Sequence, residues 1–240
     1  MLIYFMELRR RILSIFAAFF IAFMIYFWKA NELFQFVIMP LLKTLPLQSE
    51  LIATSITSPL FIPLKLAANA ALFTVAPLVL YHIWQFAHSA LYRNERIYLF
   101  FLTGISLLLF CLGGLFCFYI VLPFMLQFFV NALPDGVRLL PEMASSVDFI
   151  TRMILVFGFS FEIPLLCLFV VRMGICGVDA LKTIRPYVIV AAFTLGMLLT
   201  PPDVFSQVIL AVPLCILYEL GLLLSVIMDK IDLKRINSLD

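Results

Sequence analysis

Long apolar stretches separated by short polar segments dominate this sequence. A transmembrane helix needs roughly 20 apolar residues to cross about 30 Å of hydrocarbon. Applied along the chain, this criterion predicts an all-α integral membrane protein in which 1–240 form a single membrane domain. The six predicted spans lie at about 12–28, 66–90, 97–122, 149–171, 186–200 and 204–228.

Three segments depart from an average span. The run 97–134 contains 38 residues without a charge. As one helix it is about 57 Å long, too short for two spans and a turn, so we expect one long helix. The segment 186–200 has only 15 residues, so we expect short fifth and sixth helices, local bilayer thinning and a cup-shaped bundle. The segment 29–65 contains four prolines and predicts an external loop with short helical pieces.

Composition supports the membrane class and excludes several kinds of site. Only 12% of the residues are charged, against about 25% in soluble proteins, and the mean hydropathy is +1.15. The net charge of +2 does not indicate a nucleic-acid partner. Two histidines cannot build a multi-histidine metal site, and the five cysteines form no CxxC pair. We therefore predict no metal and no cofactor.

The distribution of basic residues predicts the orientation. With the N-terminus in the cytoplasm, the inner segments hold 11 of the 16 lysines and arginines. Cytoplasmic loops are enriched in these residues, so both termini are predicted to be cytoplasmic and the long loops external. No internal repeat is visible that would pair the two halves, which weakens the usual architecture of a secondary transporter.

Two glutamates lie among the arginines that anchor the inner side. Glu7 precedes three arginines in "ELRRR", and Glu95 lies between Arg93 and Arg96 in "LYRNER". Both could be surface partners of their neighbours. Exposed ion pairs contribute only about 0–1 kcal/mol, so stability hardly explains Glu95.

Two further carboxylates depart from simple anchoring. Glu162 lies near the middle of the fourth span, where insertion of a carboxylate costs roughly 2.5 kcal/mol or more. It is either a hydrogen-bonded structural group or a functional one, and in a cup-shaped bundle we expect it on the concave, partly wet side. Asp203 follows Pro-Pro at the start of the sixth span and is predicted to be its N-cap.

These features, in this order, resemble the TatC subunit of the twin-arginine protein translocase. The resemblance covers 7 to about 226. The matching motifs are "ELRRR" at 7–11, "IATSITSPLFIPLKL" at 52–66, "ALYRNER" at 90–96, "FGFSFEIP" at 157–164, "RPYVIV" at 185–190 and "GMLLTPPDVFSQ" at 196–207.

The resemblance implies a receptor that binds the consecutive arginines of signal peptides and helps to export folded proteins. By resemblance, Glu7 and Glu95 are the binding carboxylates, with Phe86 and Arg9 in the same site. Residues implied to act inside the membrane or in partner contacts are Pro40, Glu162, Met197, Thr200, Asp203 and Gln207.

The resemblance also implies partners and a location. We expect single-span subunits of the TatA and TatB type, other TatC copies and the lipid bilayer, in a bacterial cytoplasmic (inner) membrane. The sequence has no GxxxxGK[ST] motif, so the membrane potential is the expected energy source. A proton-coupled small-molecule carrier with Glu162 as its proton site is the alternative, and a membrane hydrolase is weaker because HExxH and GxSxG are absent.

Overall fold

The computed structural model describes residues 2–44, 51–89, 96–134, 140–200 and 203–236. Apart from one isolated bridge between two loops, its regular structure is helical. The α-helices are α1 (Leu2–Trp28), α2 (Ala30–Thr44), α3 (Ser58–Ser89), α4 (Arg96–Phe116), α5 (Leu122–Asn131), α6 (Met143–Ser160), α7 (Ile163–Arg172), α8 (Val178–Leu199) and α9 (Val204–Ile236).

The predicted number of spans is confirmed for the described part of the chain. Six helical stretches there are long and apolar enough to cross a membrane, namely Arg9–Trp28, Ser58–Ile83, Phe101–Asn131, Met143–Arg172, Val178–Leu199 and Val204–Lys230. Because the spans alternate in direction, α1 begins at the same end of the bundle at which α3 ends. We call this the basal end and the opposite one the distal end.

The core lies between α2, α3, α5, α6 and α9. Its fully buried side chains include Ile38, Leu66, Leu122, Phe157 and Leu210. The helices α1 and α8 are peripheral: α1 packs chiefly on α3, and α8 packs chiefly on α9. No residue of 9–28 is buried, so α1 is held from one side only.

The long third span is confirmed as one continuous helical stretch with a π-turn inside it. Residues Cys117–Val121 form the π-turn, and the N–H of Leu122 donates to the carbonyl of Cys117. Pro123 follows at once. In an α-helix its ring would clash with the carbonyl four residues earlier, and the wider turn relieves that clash.

The fourth span is broken in the middle. The helix α6 ends at Ser160 and α7 begins at Ile163, with Phe161 and Glu162 between them. Pro164 lies in the first turn of α7 and has no N–H to donate to a helical carbonyl, so the hydrogen-bond ladder is interrupted there. At the break, the N–H of Glu162 donates to the carbonyl of Phe159, three residues earlier rather than four (3.1 Å).

The prediction of short fifth and sixth helices is wrong. The helix α8 has 22 residues and α9 has 33. Pro186 lies inside α8 and does not begin it. The turns before this proline carry the charged residues Asp179, Lys182 and Arg185, which end a count of apolar residues. The cup shape of the bundle stays a prediction.

The segment between the first two spans is more helical than expected. It contains the 15-residue α2, and α3 already begins at Ser58. The loop before α3 is tied to the start of α6: the N–H of Ile52 donates to the carbonyl of Pro141 (3.1 Å), and the N–H of Met143 donates to the carbonyl of Ile52 (2.9 Å).

Glu142 adds side-chain bonds to this distal connection. Its carboxylate accepts hydrogen bonds from the hydroxyls of Ser145 and Thr54, the latter at 2.5 Å. These bonds, that from Ser145 foremost, lower the pKa of Glu142 below its ordinary value. A carboxyl with a lowered folded-state pKa contributes stability above its unfolded pKa and loses it as the pH falls through the folded value.

We expect Glu142→Gln to loosen the distal connection, because the amide is a weaker acceptor than the carboxylate. At neutral pH the amide of Ile52 should exchange hydrogen for deuterium faster in this variant than in the unmodified chain. Acidification should reduce this difference in exchange rate, because the carboxylate of the unmodified chain becomes protonated. Glu32→Gln, an exposed change on α2, is the matched control. Equal exchange at Ile52 in both variants would contradict the role of the carboxylate.

Candidate functional site

The sequence-predicted receptor residues fall at the basal end. The backbone places Glu7 in the early turns of α1 and Phe86 in the last turn of α3. The side chain of Arg9 is exposed. Glu95 lies outside the described residues, in the connection between α3 and α4. The fold therefore brings the positions of Glu7 and Phe86 to one end of the bundle, although they are 79 residues apart in sequence (86 − 7).

Arg11 differs from its two arginine neighbours. Its Nη1 donates a hydrogen bond of 3.0 Å to the main-chain carbonyl of His82 on α3, and the bond is partly buried. Arg9 and Arg10 are exposed. Sequence reasoning treated all three arginines as anchors and missed this contact, because its partner is a backbone atom 71 residues away.

Glu162 is buried in the middle of the bundle. Only 2% of the residue is exposed. The expectation that Glu162 faces an open, partly wet concave surface is therefore wrong. The hydroxyl of Ser106 on α4 donates to Oε2 at 2.8 Å. Oε1 has no hydrogen-bond partner among the described residues. Buried polar atoms in native proteins are nearly always paired, so the unpaired oxygen of Glu162 is an exception to that pattern.

The helices α4 and α6 pack closely one and two turns away from this carboxyl. A Cβ on Gly113 would lie 2.5 Å from the carbonyl oxygen of Phe157, and one on Gly158 would lie 2.9 Å from the ring of Phe110. Only glycine permits this approach of the two helices. The hydrogen bond between Ser106 and Glu162 therefore lies on the face along which α4 and α6 are in close contact.

The polar residues of the distal hairpin lie where α8 ends and α9 begins. Asp203 accepts a 2.8 Å hydrogen bond from the N–H of Ser206, which confirms its predicted N-cap role. Thr200 is buried and its hydroxyl donates to the carbonyl of Gly196. A Cβ on Gly196 would lie 3.3 Å from the carbonyl oxygen of Gln207, so the two helices approach closely.

Met197 and Pro40 have opposite surroundings. Met197 on α8 is 56% exposed and belongs to an apolar surface that the described chain leaves uncovered. Pro40 is buried inside α2 rather than in a loop. The hydroxyl of Thr44 donates to the carbonyls of Pro40 (3.3 Å) and Leu41 (2.9 Å) at the end of that helix.

An ion pair between α8 and α9 is among the contacts that sequence reasoning missed. Arg185 on α8 and Glu219 on α9 are joined by two contacts, Nε to Oε1 at 2.6 Å and Nη2 to Oε2 at 3.0 Å. Nearby, the hydroxyl of Tyr218 donates to the carbonyl of Leu181 at 2.7 Å. The sequence did contain one indication of this ion pair: Arg185 and Glu219 lie in the basal halves of two consecutive, antiparallel spans.

The described residues do not assemble a metal site. Among them, no group of three or more His, Cys, Asp or Glu side chains is placed to hold an ion. All five cysteines are free thiols. The chemistry available is hydrogen bonding and charge recognition by single carboxylates and arginines.

The fold defines an all-α, multi-pass membrane protein. A family model for the Sec-independent protein translocase protein (TatC) matches residues 4–213. The chain belongs to the TatC family of twin-arginine translocase receptor subunits. It is a transport protein and not an enzyme. The family assignment therefore replaces the alternatives of a small-molecule carrier and a membrane hydrolase.

Relatives and a solved structure agree with this assignment. The chain is 42% identical to the TatC protein of Haemophilus influenzae over 219 residues, which are 91% of this chain and 86% of that protein. It is 41% identical to the TatC protein of Escherichia coli, with 91% and 85% covered. A crystal structure of the twin arginine translocase receptor TatC superposes with a TM-score of 0.85 at 34% identity, covering 93% of this chain and 98% of that chain.

We expect Ser106→Ala to destabilise the bundle by about 1–3 kcal/mol, because it leaves the buried carboxyl of Glu162 without its donor. The melting temperature of the purified protein is the measurement. Ser225→Ala is the control, since that buried hydroxyl bonds only to the carbonyl of Gly221 on its own helix. Replacing both partners by apolar residues, in Ser106→Ala with Glu162→Leu, should recover most of the loss. A double variant no more stable than Ser106→Ala would argue against this assignment.

Proposed function

We propose that this chain binds signal peptides with two consecutive arginines at its basal end, which faces the cytoplasm, through the carboxylates of Glu7 and Glu95. The observation that carries the proposal is the position of Glu7 on α1 at the end of the bundle where α3 ends, in a chain of the TatC family. The connection that contains Glu95 leaves α3 at this same end. Phe86 and Arg9 complete the site.

The chemistry of the two groups favours arginine over lysine. A guanidinium is a planar fork of N–H donors that a carboxylate can accept in pairs, whereas a lysine is a point charge. Two carboxylates on separate segments can therefore bind two adjacent arginines. This arrangement would distinguish an Arg-Arg pair from a Lys-Lys pair of the same charge.

The arginines around the two glutamates tune this recognition. Arg9 and Arg10 are exposed near Glu7 in sequence and add positive charge beside it. Their positive charges attract the carboxylate, but they also compete for it and repel a cationic peptide. We propose that they make binding selective, since only a ligand with well-placed guanidinium donors displaces them.

The orientation follows from the same basic residues. The basal segments carry most of the lysines and arginines, so both termini are proposed to lie in the cytoplasm of a bacterial cell, with the chain in its cytoplasmic membrane. The distal hairpin and the connection at Ile52 then face outward. The relatives with the highest identity described above are bacterial, which supports this location.

The uncovered face of α8 is proposed to bind single-span subunits of the TatA and TatB type. Met197 is exposed on this face. The polar residues Thr200, Asp203 and Gln207 lie where α8 ends and α9 begins. The buried carboxyl of Glu162 would act within the membrane in the same assembly, and further copies of the chain would complete it. One chain of six spans encloses no passage for a folded protein among its described residues, so the passage needs these partners.

Glu7→Gln and Glu95→Gln should each weaken binding of a synthetic Arg-Arg signal peptide by roughly 10- to 100-fold, because each removes charge-assisted hydrogen bonds. Fluorescence anisotropy with the full chain in lipid nanodiscs is the measurement. The Lys-Lys peptide should bind the unmodified chain more weakly. Glu32→Gln on α2 is the matched charge control. Unchanged affinity in both Glu7→Gln and Glu95→Gln would contradict the proposal.

A cysteine in place of Met197 should cross-link to a cysteine in the span of a TatA- or TatB-type subunit when the proteins are co-expressed. Ala192 is the matched control, because it lies on the same helix but is buried. Cross-linking at 192 as efficient as at 197, or none at 197, would mean that the partner does not occupy this face.

A further inference from the structure

We infer that Arg11 is a positioning residue of the receptor site: its bond to the carbonyl of His82 fixes α1 along α3 and so sets the level of Glu7 at the basal end. This inference rests on the proposed function of Glu7. Arg11 itself need not touch the peptide. Its guanidinium is already engaged with α3, with the bond partly buried.

The geometry starts from two hydrogen bonds between α1 and α3. Arg11 Nη1 bonds the His82 carbonyl at 3.0 Å, and Tyr26 Oη lies 2.7 Å from Thr74 Oγ1. Positions rise along α1 as they fall along α3, so the two helices are antiparallel. A carbonyl oxygen has two lone pairs, so it can accept the guanidinium in addition to any helical N–H.

The antiparallel arrangement places Glu7 and Phe86 on one side of this bond. Glu7 is four residues before Arg11, and Phe86 is four residues after His82. Residues four apart lie on the same face of a helix, about one turn, or 6 Å, from each other. Both steps lead toward the basal end, so the bond between Arg11 and His82 sets the relative level of the two positions.

The helix α1 needs such a directional bond. Its candidate span has no buried residue, and it packs chiefly against one neighbour. In a bilayer, helices associate by van der Waals packing and by hydrogen bonds between them rather than by the hydrophobic effect. A hydrogen bond weakens steeply with distance and angle, so it defines one register.

The usual interpretation of such an arginine is a snorkelling anchor that holds the helix end at the membrane surface. The two interpretations predict opposite changes in peptide affinity when Arg11 is replaced. Removing a cation near the site reduces repulsion of the Arg-Arg peptide, so simple electrostatics gives tighter binding. Loss of the α1 register gives weaker binding. Arg10 has the same charge and an exposed side chain, and it supplies the electrostatic reference.

The test compares the two variants in the full chain in lipid nanodiscs, with labelled Arg-Arg and Lys-Lys signal peptides. We expect Arg11→Gln to bind the Arg-Arg peptide about 5- to 10-fold more weakly. Arg10→Gln should bind it equally or more tightly. Because Arg11 acts through Glu7, Arg11→Gln combined with Glu7→Gln should bind no more weakly than Glu7→Gln alone.

Spin labels at positions 6 and 85, which are both exposed, test the register without a peptide. In a cysteine-free background the distribution of label distances should broaden or shift in Arg11→Gln and stay unchanged in Arg10→Gln. If Arg11→Gln does not fold, Arg11→Lys carries both measurements, because lysine keeps the charge but has a shorter reach and no planar fork. A smaller loss in the same direction is expected.

The outcomes separate the two proposals. If Glu7→Gln and Glu95→Gln both bind normally, the proposed function fails, and the label distances still decide the register. If Glu7→Gln weakens binding but Arg11→Gln behaves like Arg10→Gln, the inference about Arg11 is overturned. It is also overturned if the label distances in Arg11→Gln equal those of the unmodified chain, or if the losses of Arg11→Gln and Glu7→Gln add in full.

Discussion

Every backbone N–H and C=O inside a bilayer must find a partner within the protein, and this requirement shapes the whole bundle. Helices satisfy it by themselves, but proline removes a donor wherever it occurs. This chain places Pro123, Pro164 and Pro186 inside or beside its spans. The helix accommodates each proline differently. A π-turn precedes Pro123, a break precedes Pro164, and α8 continues without interruption through Pro186. Local departures from α-helical geometry are therefore where this bundle gains its particular shape.

The break before Pro164 lies beside the buried carboxyl of Glu162. A regular helix would present position 162 with the same geometry as its neighbours. The interruption falls at Glu162, whose carboxyl accepts a hydrogen bond from the hydroxyl of Ser106 on α4. One and two helical turns away, glycines bring α4 and α6 into close contact. The break in the fourth span and the buried hydrogen bond therefore occur at the same level of the bundle.

Local patterns in the sequence were sufficient for some features of the fold and the site. The number of spans follows from the lengths of the apolar runs. The N-cap at Asp203 follows from a carboxylate after Pro-Pro and before an apolar run. The length of α8 could not be obtained in this way, because charged residues interrupt the apolar pattern in its first turns and it contains Pro186.

Features that depend on contacts between distant residues could not be derived from patterns. The partner of Glu162 is 56 residues away, and the partner of Arg11 is 71 residues away and is a backbone atom. Neither hydropathy nor spacing encodes which helix lies beside which. The expected roles of Glu7 and Glu95 came from the family resemblance, since charge pattern alone left the anchoring interpretation open.

The π-turn at Cys117–Val121 is equivalent to one extra residue inserted into an otherwise α-helical span. Each residue of an α-helix rotates the chain by about 100°, so this insertion sets the rotational phase of everything after it. With the extra residue, Leu122, Met125 and Leu126 of α5 point into the core. A one-residue deletion here would leave the composition almost unchanged and turn that face toward lipid. The span therefore encodes a rotation as well as a length. In homologous sequences that align without a gap at this turn, the same positions of α5 would face the core.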